Sequence, residues 1–133
     1  MPATTVIDND FFTMWYYPED KIVHHKVHKF IWGQALQDML SKGAEIFEKN
    51  SAKKWLSDDR TNGAISPEDQ EWAQKAWFPR VKNAGWKYWA LVMPEKVIGQ
   101  LNMKHFVQTY ADQGVTVQVF ADPDLALKWL KKP

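Results

Sequence analysis

The chain contains no cysteine. Disulfides, thiolate catalysis and cysteine-ligated metal are therefore excluded, and a reducing compartment suits it. Charge excess is also missing. Seventeen Lys and Arg against 16 Asp and Glu leave a formal charge of +1, so nothing electrostatic recommends nucleic acid or an anionic membrane as a partner. No apolar run approaches the ~20 residues of a membrane span. The opening Met-Pro-Ala-Thr-Thr lacks a basic region followed by an apolar run, so no signal peptide is expected and the cytoplasm is the expected location. Gly63 and Gly99 are isolated and build no phosphate loop, and neither a Ser–His–Asp order nor His-Glu-x-x-His occurs. The expectation is a non-enzymatic protein without a cofactor.

Tryptophan, by contrast, is abundant, with eight in 133 residues. Core and sheet-face packing accounts for most of them; the sharper alternative is an aromatic-lined pocket or a dimer face. The hydrophobic fraction of 45% and charged fraction of 25% are those of an ordinary globular protein. The length suits one domain, residues 1–133, with a real core.

Residues 53–85 organise the rest. They predict a buried strand, a charged turn at its carboxyl end (Asp58, Asp59, Arg60) and a capped helix. Ser66 can accept a hydrogen bond from an orphaned amide, and Pro67 follows at the first helical position. Asp69 is a short capping-box residue, and Glu68, Asp69 and Glu71 suit the positive end of the helix dipole. Trp72, Ala73, Ala76, Trp77 and Val81 recur at helical spacing, Pro79 predicts a kink or break near Phe78, and Gly85 predicts the stop.

Before this stretch, residues 4–7, 12–17 and 21–30 read as three strands with tight connections, an antiparallel meander. The third carries His24, His25 and His28. His24 and His28 share a face but lie ~13 Å apart, and His25 points the other way, so no two chelate one ion locally. The plain alternative is a polar sheet face, with Val23 and Val27 turned to the other side. Residues 31–50 predict a long helix with Trp32, Leu36, Met39, Leu40, Ile46 and Phe47 as its apolar stripe. Gly43 interrupts it, either to permit close packing or to mark a bend.

After it, residues 87–93 form a nearly continuous apolar run, as in a strand covered on both faces. A short helix from Glu95 and a second over 103–112, capped by Asn102 and stopped by Gly114, come next. Residues 115–120 alternate as a strand near a sheet edge. Asp122-Pro123 opens a last helix with Leu125, Ala126, Trp129 and Leu130 as its buried stripe. The expected fold is α/β: a mixed sheet, with the antiparallel meander followed by βαβ units, packed with helices.

The segments Lys-Lys-Trp-Leu-Ser-Asp-Asp-Arg at 53–60, Ile-Ser-Pro-Glu-Asp-Gln-Glu-Trp at 65–72, Trp-Phe-Pro-Arg at 77–80 and Ala84-Gly85 resemble the small bacterial SpoIIAA-like (STAS-like) proteins of unknown function. The pattern from Phe120 to Leu130 fits as well. The resemblance implies a mixed sheet with helices and often a homodimer, and no established activity. Better-known relatives are anti-sigma-factor antagonists switched by phosphorylation of a serine at a helix start. Here that place is Ser66, but the Ser-Gly part of the motif is missing, and a phosphate would be repelled by Glu68, Asp69 and Glu71, which favours a plain cap.

Three functions follow as alternatives. The first is a regulatory or protein-interaction module, dimeric, acting through Asp58, Asp59, Arg60, Ser66, Trp72 and Trp77. The second is a binder of a small apolar or lipid-like molecule, with Trp72, Trp77, Phe78, Trp86 and Trp89 as walls and Asp58, Asp59 and Arg60 holding a polar headgroup. The third is a hydrolase using Asp58 and Asp59 as an acid/base pair, against which consecutive strand-end residues usually point apart.

Overall fold

The computed structural model describes residues 3–62 and 65–132. Met1, Pro2, Gly63, Ala64 and Pro133 lie outside the described residues, among them part of the stretch searched for a signal peptide and one of the isolated glycines. Six strands form one sheet in sequential order. They are β1 (Thr4–Asp8), β2 (Phe12–Tyr17), β3 (Ile22–Val27), β4 (Lys54–Asp58), β5 (Tyr88–Val92) and β6 (Thr116–Phe120). The first three pair antiparallel and the last four are parallel. The meander-then-βαβ order is therefore the one read from the sequence.

The helices are α1 (Gly33–Asn50), α2 (Pro67–Trp72), α3 (Phe78–Asn83), α4 (Glu95–Gln100), α5 (Met103–Ala111) and α6 (Pro123–Lys131). The strands advance in one direction across the sheet, so crossovers of one hand put their helices on one face. On that face α1, α3 and Tyr110 of α5 pack with Met14, Val23, Val27 and Trp55 in the main core. Helix α6 returns alone on the other face, where Ala126 and Leu130 cover Ile22, Leu56, Ala90 and Val92.

Trp55 of β4 is the centre of the main core. Its ring stacks on Phe47 with centroids 5.5 Å apart and meets Trp77 edge-on at 5.2 Å. Burying a ring of this size is worth ~4–5 kcal/mol before ordering entropy is subtracted. Gly43 makes room for it: a Cβ at that position would lie 2.1 Å from Trp55 Cη2. Close packing, not a bend, explains this glycine, because α1 runs unbroken through it.

Pro79 does not end its helix. The break expected near Phe78 is taken up as a π-helical turn, Ala73–Trp77, between α2 and α3. The Phe78 amide reaches back five residues to Ala73. The wider turn accommodates the missing proline donor without separating the helices. The stop at Gly85 is a Schellman motif, with Trp86 N bonded to Val81 O, Gly85 N to Lys82 O and Gly85 at φ +113°.

Some sequence expectations require correction. The third strand ends at Val27, not Phe30, and α1 begins at Gly33, not Ile31. Trp32 therefore does not join the buried stripe; it stands outside the helix, 60% exposed. Leu125 is 55% exposed, so the buried stripe of α6 is Ala126 and Leu130, with Trp129 half-buried. The helical period was right in both helices, but the sheet covers a narrower arc than the apolar residues span.

Alanine at position 43 should gain ~1 kcal/mol of helix propensity but lose ~1–3 kcal/mol to overpacking against Trp55. Gly43→Ala is therefore expected to lower the urea midpoint in the wild-type background, and to cost less in a Trp55→Phe background. Equal costs in both backgrounds would refute the contact.

Candidate functional site

Strands β3 to β6 all point their carboxyl ends the same way, and the β1–β2 turn lies at that end too. The rim so formed carries the acidic–basic cluster. Asp58 and Asp59 diverge, as consecutive residues on a strand end do. Asp58 turns to the α6 face with its side chain 3% exposed, and Arg60 clamps it with Nε–Oδ1 and Nη2–Oδ2 contacts both at 2.8 Å. This fork-to-fork geometry suits arginine alone. The hydrogen bonds it donates to Asp58 hold the Arg60 guanidinium above its ordinary pKa, and the Asp122 and Asp124 carboxylates at the start of α6 add to the effect.

Asp59 turns to the opposite face and accepts a hydrogen bond from His25 at 2.8 Å. The other ring nitrogen of His25, Nδ1, lies 2.9 Å from Trp55 Nε1. An indole N–H only donates. Nδ1 must therefore accept, and the ring proton sits on Nε2, where it is given to Asp59. A continuous chain thus runs from the core tryptophan through a buried histidine to the rim. Neither ring nitrogen is left to move a proton to or from a substrate.

Asp59, Thr61 and Asn62 are tied to neighbouring elements as well. Asp59 N bonds to Val92 O at 3.0 Å, Thr61 Oγ1 bonds to Val27 O, and Asn62 Oδ1 receives the Ile31 amide at 3.1 Å. Ser66 is exposed and caps α2 by accepting from Asp69 N at 3.2 Å. The buried Asp69 carboxylate does not reach back to complete a capping box. It crosses to α1 and accepts the Gly33 amide at 3.1 Å. One residue thus fixes the starts of two helices.

Trp72 is half-buried at the margin of the main core. Trp77 lies within it and donates its indole N–H to Leu40 O at 2.9 Å. Trp86 is in ring contact with Trp77 at 5.4 Å, Phe78 at 5.5 Å and Trp89 at 5.4 Å. They fill the space that a pocket walled by them would need. Three of the six candidate residues, Asp58, Asp59 and Arg60, therefore share the rim, Ser66 and Trp72 cap and end α2, and Trp77 belongs to the core.

No protein-family model, no curated protein and no solved structure matches the chain.

Two rim features escaped the sequence analysis. One is His25, whose signal was its phase: alternation puts it on the face of Val23 and Val27, which is the core. The other is a pair of exposed aromatics before α1. Phe30 is 47% and Trp32 60% exposed, and their rings stack at 5.5 Å. Beside them Lys29 Nζ sits 4.8 Å over the Phe11 ring. Among the described residues no three His, Asp or Glu side chains converge as a metal cluster would, and no helix is long and apolar enough to cross a membrane.

On the α6 side, His24 stands between Trp15 at 4.6 Å and Tyr17 at 5.9 Å, with the Tyr17 hydroxyl 3.0 Å from its Nδ1. Burial, helped by His25 and Lys26 and opposed by Asp58, lowers its pKa from 6.5 to about 4. Between those values the unfolded chain binds the extra proton and the folded chain does not. The resulting stability is fully present above pH 6.5 and is lost as pH falls to 4, up to ~2–3 kcal/mol. His24→Phe is expected to flatten that part of the urea-midpoint profile; an unchanged pH slope would contradict the burial. Arg60→Ala leaves Asp58 buried without its partner and is expected to cost ~2–4 kcal/mol in chemical denaturation. Arg60→Lys should restore only part of it, because a lysine cannot form the fork.

Proposed function

We propose that the chain is a non-enzymatic regulatory or protein-interaction module of the STAS-like kind, cytoplasmic, working as a homodimer whose contact is centred on Phe30 and Trp32. The observation that carries this reading is the stacked, exposed Phe30–Trp32 pair. Of the eight tryptophans, Trp32 is the one given to solvent. Aromatic side chains anchor interfaces because they bury much area for little conformational entropy. This pair is also held in position. The Ile31 amide between the two rings is bonded to Asn62, and the Gly33 amide after them to Asp69. A surface ordered before contact loses less entropy on association.

The non-enzymatic part of the reading is supported by how the polar groups are engaged. Asp58 is neutralised by Arg60, and both nitrogens of His25 are occupied. Thr13, a buried hydroxyl beside His28, gives its one proton to Asp8 at 2.8 Å and so accepts from His28 at 2.6 Å. A hydroxyl that accepts from the imidazole is not activated by it. The resemblance to SpoIIAA-like proteins and the lack of cysteine support the regulatory and cytoplasmic parts.

Light scattering on a size-exclusion column is expected to give a dimer for the wild type and a monomer for Phe30→Ser/Trp32→Ser, with the far-ultraviolet circular dichroism unchanged. A monomeric wild type would overturn the homodimer. A dimer that survives the double substitution would put the contact elsewhere.

A further inference from the structure

The sheet ends in two unlike edges. At β1 the register slips between Thr5 and Ile7, a bulge that spoils the edge as a template. Strand β6, Thr-Val-Gln-Val-Phe, keeps unbroken register with β5 and carries no proline, charge or bulge. These are the devices by which sheets usually guard an edge. Thr116 N bonds to Lys87 O at 2.8 Å and Phe120 O accepts from Met93 N at 3.0 Å, so residues 116, 118 and 120 aim their backbone at β5. Alternation turns the N–H and C=O of Val117 and Val119 outward, away from the sheet.

An open hollow of about 580 Å³ lies beside this edge on the α6 face, lined by Phe120, Leu125, Lys128, Trp129, Lys131 and Lys132. Its floor is apolar: Phe120 and Trp129 are in ring contact at 5.9 Å, and Leu125 stands largely exposed. The three charged lining residues are all lysines, and Asp124 belongs to the adjoining hollow with Leu127.

We propose that β6 and this hollow together receive an extended acidic segment of a partner protein. The segment pairs with the outward backbone of Val117 and Val119. It lays an apolar side chain on Phe120, Leu125 and Trp129, and it sets carboxylates against Lys128, Lys131 and Lys132. Backbone pairing supplies affinity in this mode of recognition, and side-chain complementarity supplies choice. Two other occupants fit less well. A second copy joined β6 to β6 would bring six like ammonium groups to one seam. A small molecule would stay mostly in water, because the hollow is open. The surface is separate from the Phe30–Trp32 pair, so either proposal can fail without the other.

The test uses the full chain and a fluorescein-labelled peptide of repeated Val-Thr-Glu-Thr, which sets valine and glutamate on one face of a strand, followed by anisotropy, with the same peptide carrying lysine for glutamate as control. Saturable binding of the acidic peptide, weakened by salt, is expected. Lys128→Glu/Lys131→Glu/Lys132→Glu should weaken it by about tenfold or more, and Phe30→Ser/Trp32→Ser should leave it unchanged. Val119→Pro removes an outward N–H without breaking a bond to β5 and should abolish binding. If that variant does not fold, slowed amide exchange at Val117 and Val119 of the wild type on adding peptide serves the same purpose. Absence of binding, equal binding by the lysine variant, unslowed exchange at both valines, or a preference for phosphatidylserine vesicles over the peptide would each overturn the proposal.

Discussion

Trp55 lying against Gly43 is the contact on which the rest of the structure depends. The indole is wholly buried, and the helix above it has no side chain at the point of contact. Close approach of α1 to β4 brings Phe47 onto the ring and leaves Trp77 and Trp86 to close its other sides. A buried indole also needs an acceptor for its N–H, because an unsatisfied donor in the core costs ~1–3 kcal/mol. His25 on the neighbouring strand provides that acceptor, and so a packing requirement in the core sets the tautomer of a histidine and the position of Asp59 at the rim. Core packing and rim geometry are one network here.

The strand order offers no switch point at which a crevice would open. Ligand clefts in open α/β sheets form where the strand order reverses and neighbouring crossovers part to opposite faces. Here the order runs from β1 to β6 without reversal, and the crossover helices share one face. After β4, Asp59 and Thr61 tie the chain to β5 and β3. The second face is covered by α6 from β6 across to Ile22 of β3, and Trp15, Tyr17 and His24 on β2 and β3 supply their own stack beside it.

Much of the local structure was legible because it rests on local rules. Ser66-Pro67, Asn102 and Asp122-Pro123 each start a helix by placing an acceptor side chain before free amides, and all three do so in the fold. Gly85 and its Schellman bonds are likewise a matter of neighbouring residues. The divergence of Asp58 and Asp59 followed from strand alternation, as did the separation of His24 and His28 from His25. Less legible was whatever depended on a residue far along the chain. Asp69 looked like a capping-box residue for its own helix, yet its carboxylate serves α1, 36 positions away. Trp32 fitted a helical period but preceded the helix. Pro79 announced a disturbance without saying that a π turn would absorb it.

Sequence alone determined the order and type of the elements, the helix boundaries with side-chain caps, and the charged cluster at the end of the central strand. Period, capping chemistry and turn residues act over a few positions and need no partner from afar. Only the tertiary structure decided which apolar residues are buried, that Gly43 exists for Trp55, and that His25 joins the core to Asp59. It also decided that β6 ends the sheet unguarded beside three lysines. Those facts depend on which surfaces meet, and contact between distant segments is not written in the spacing of either one.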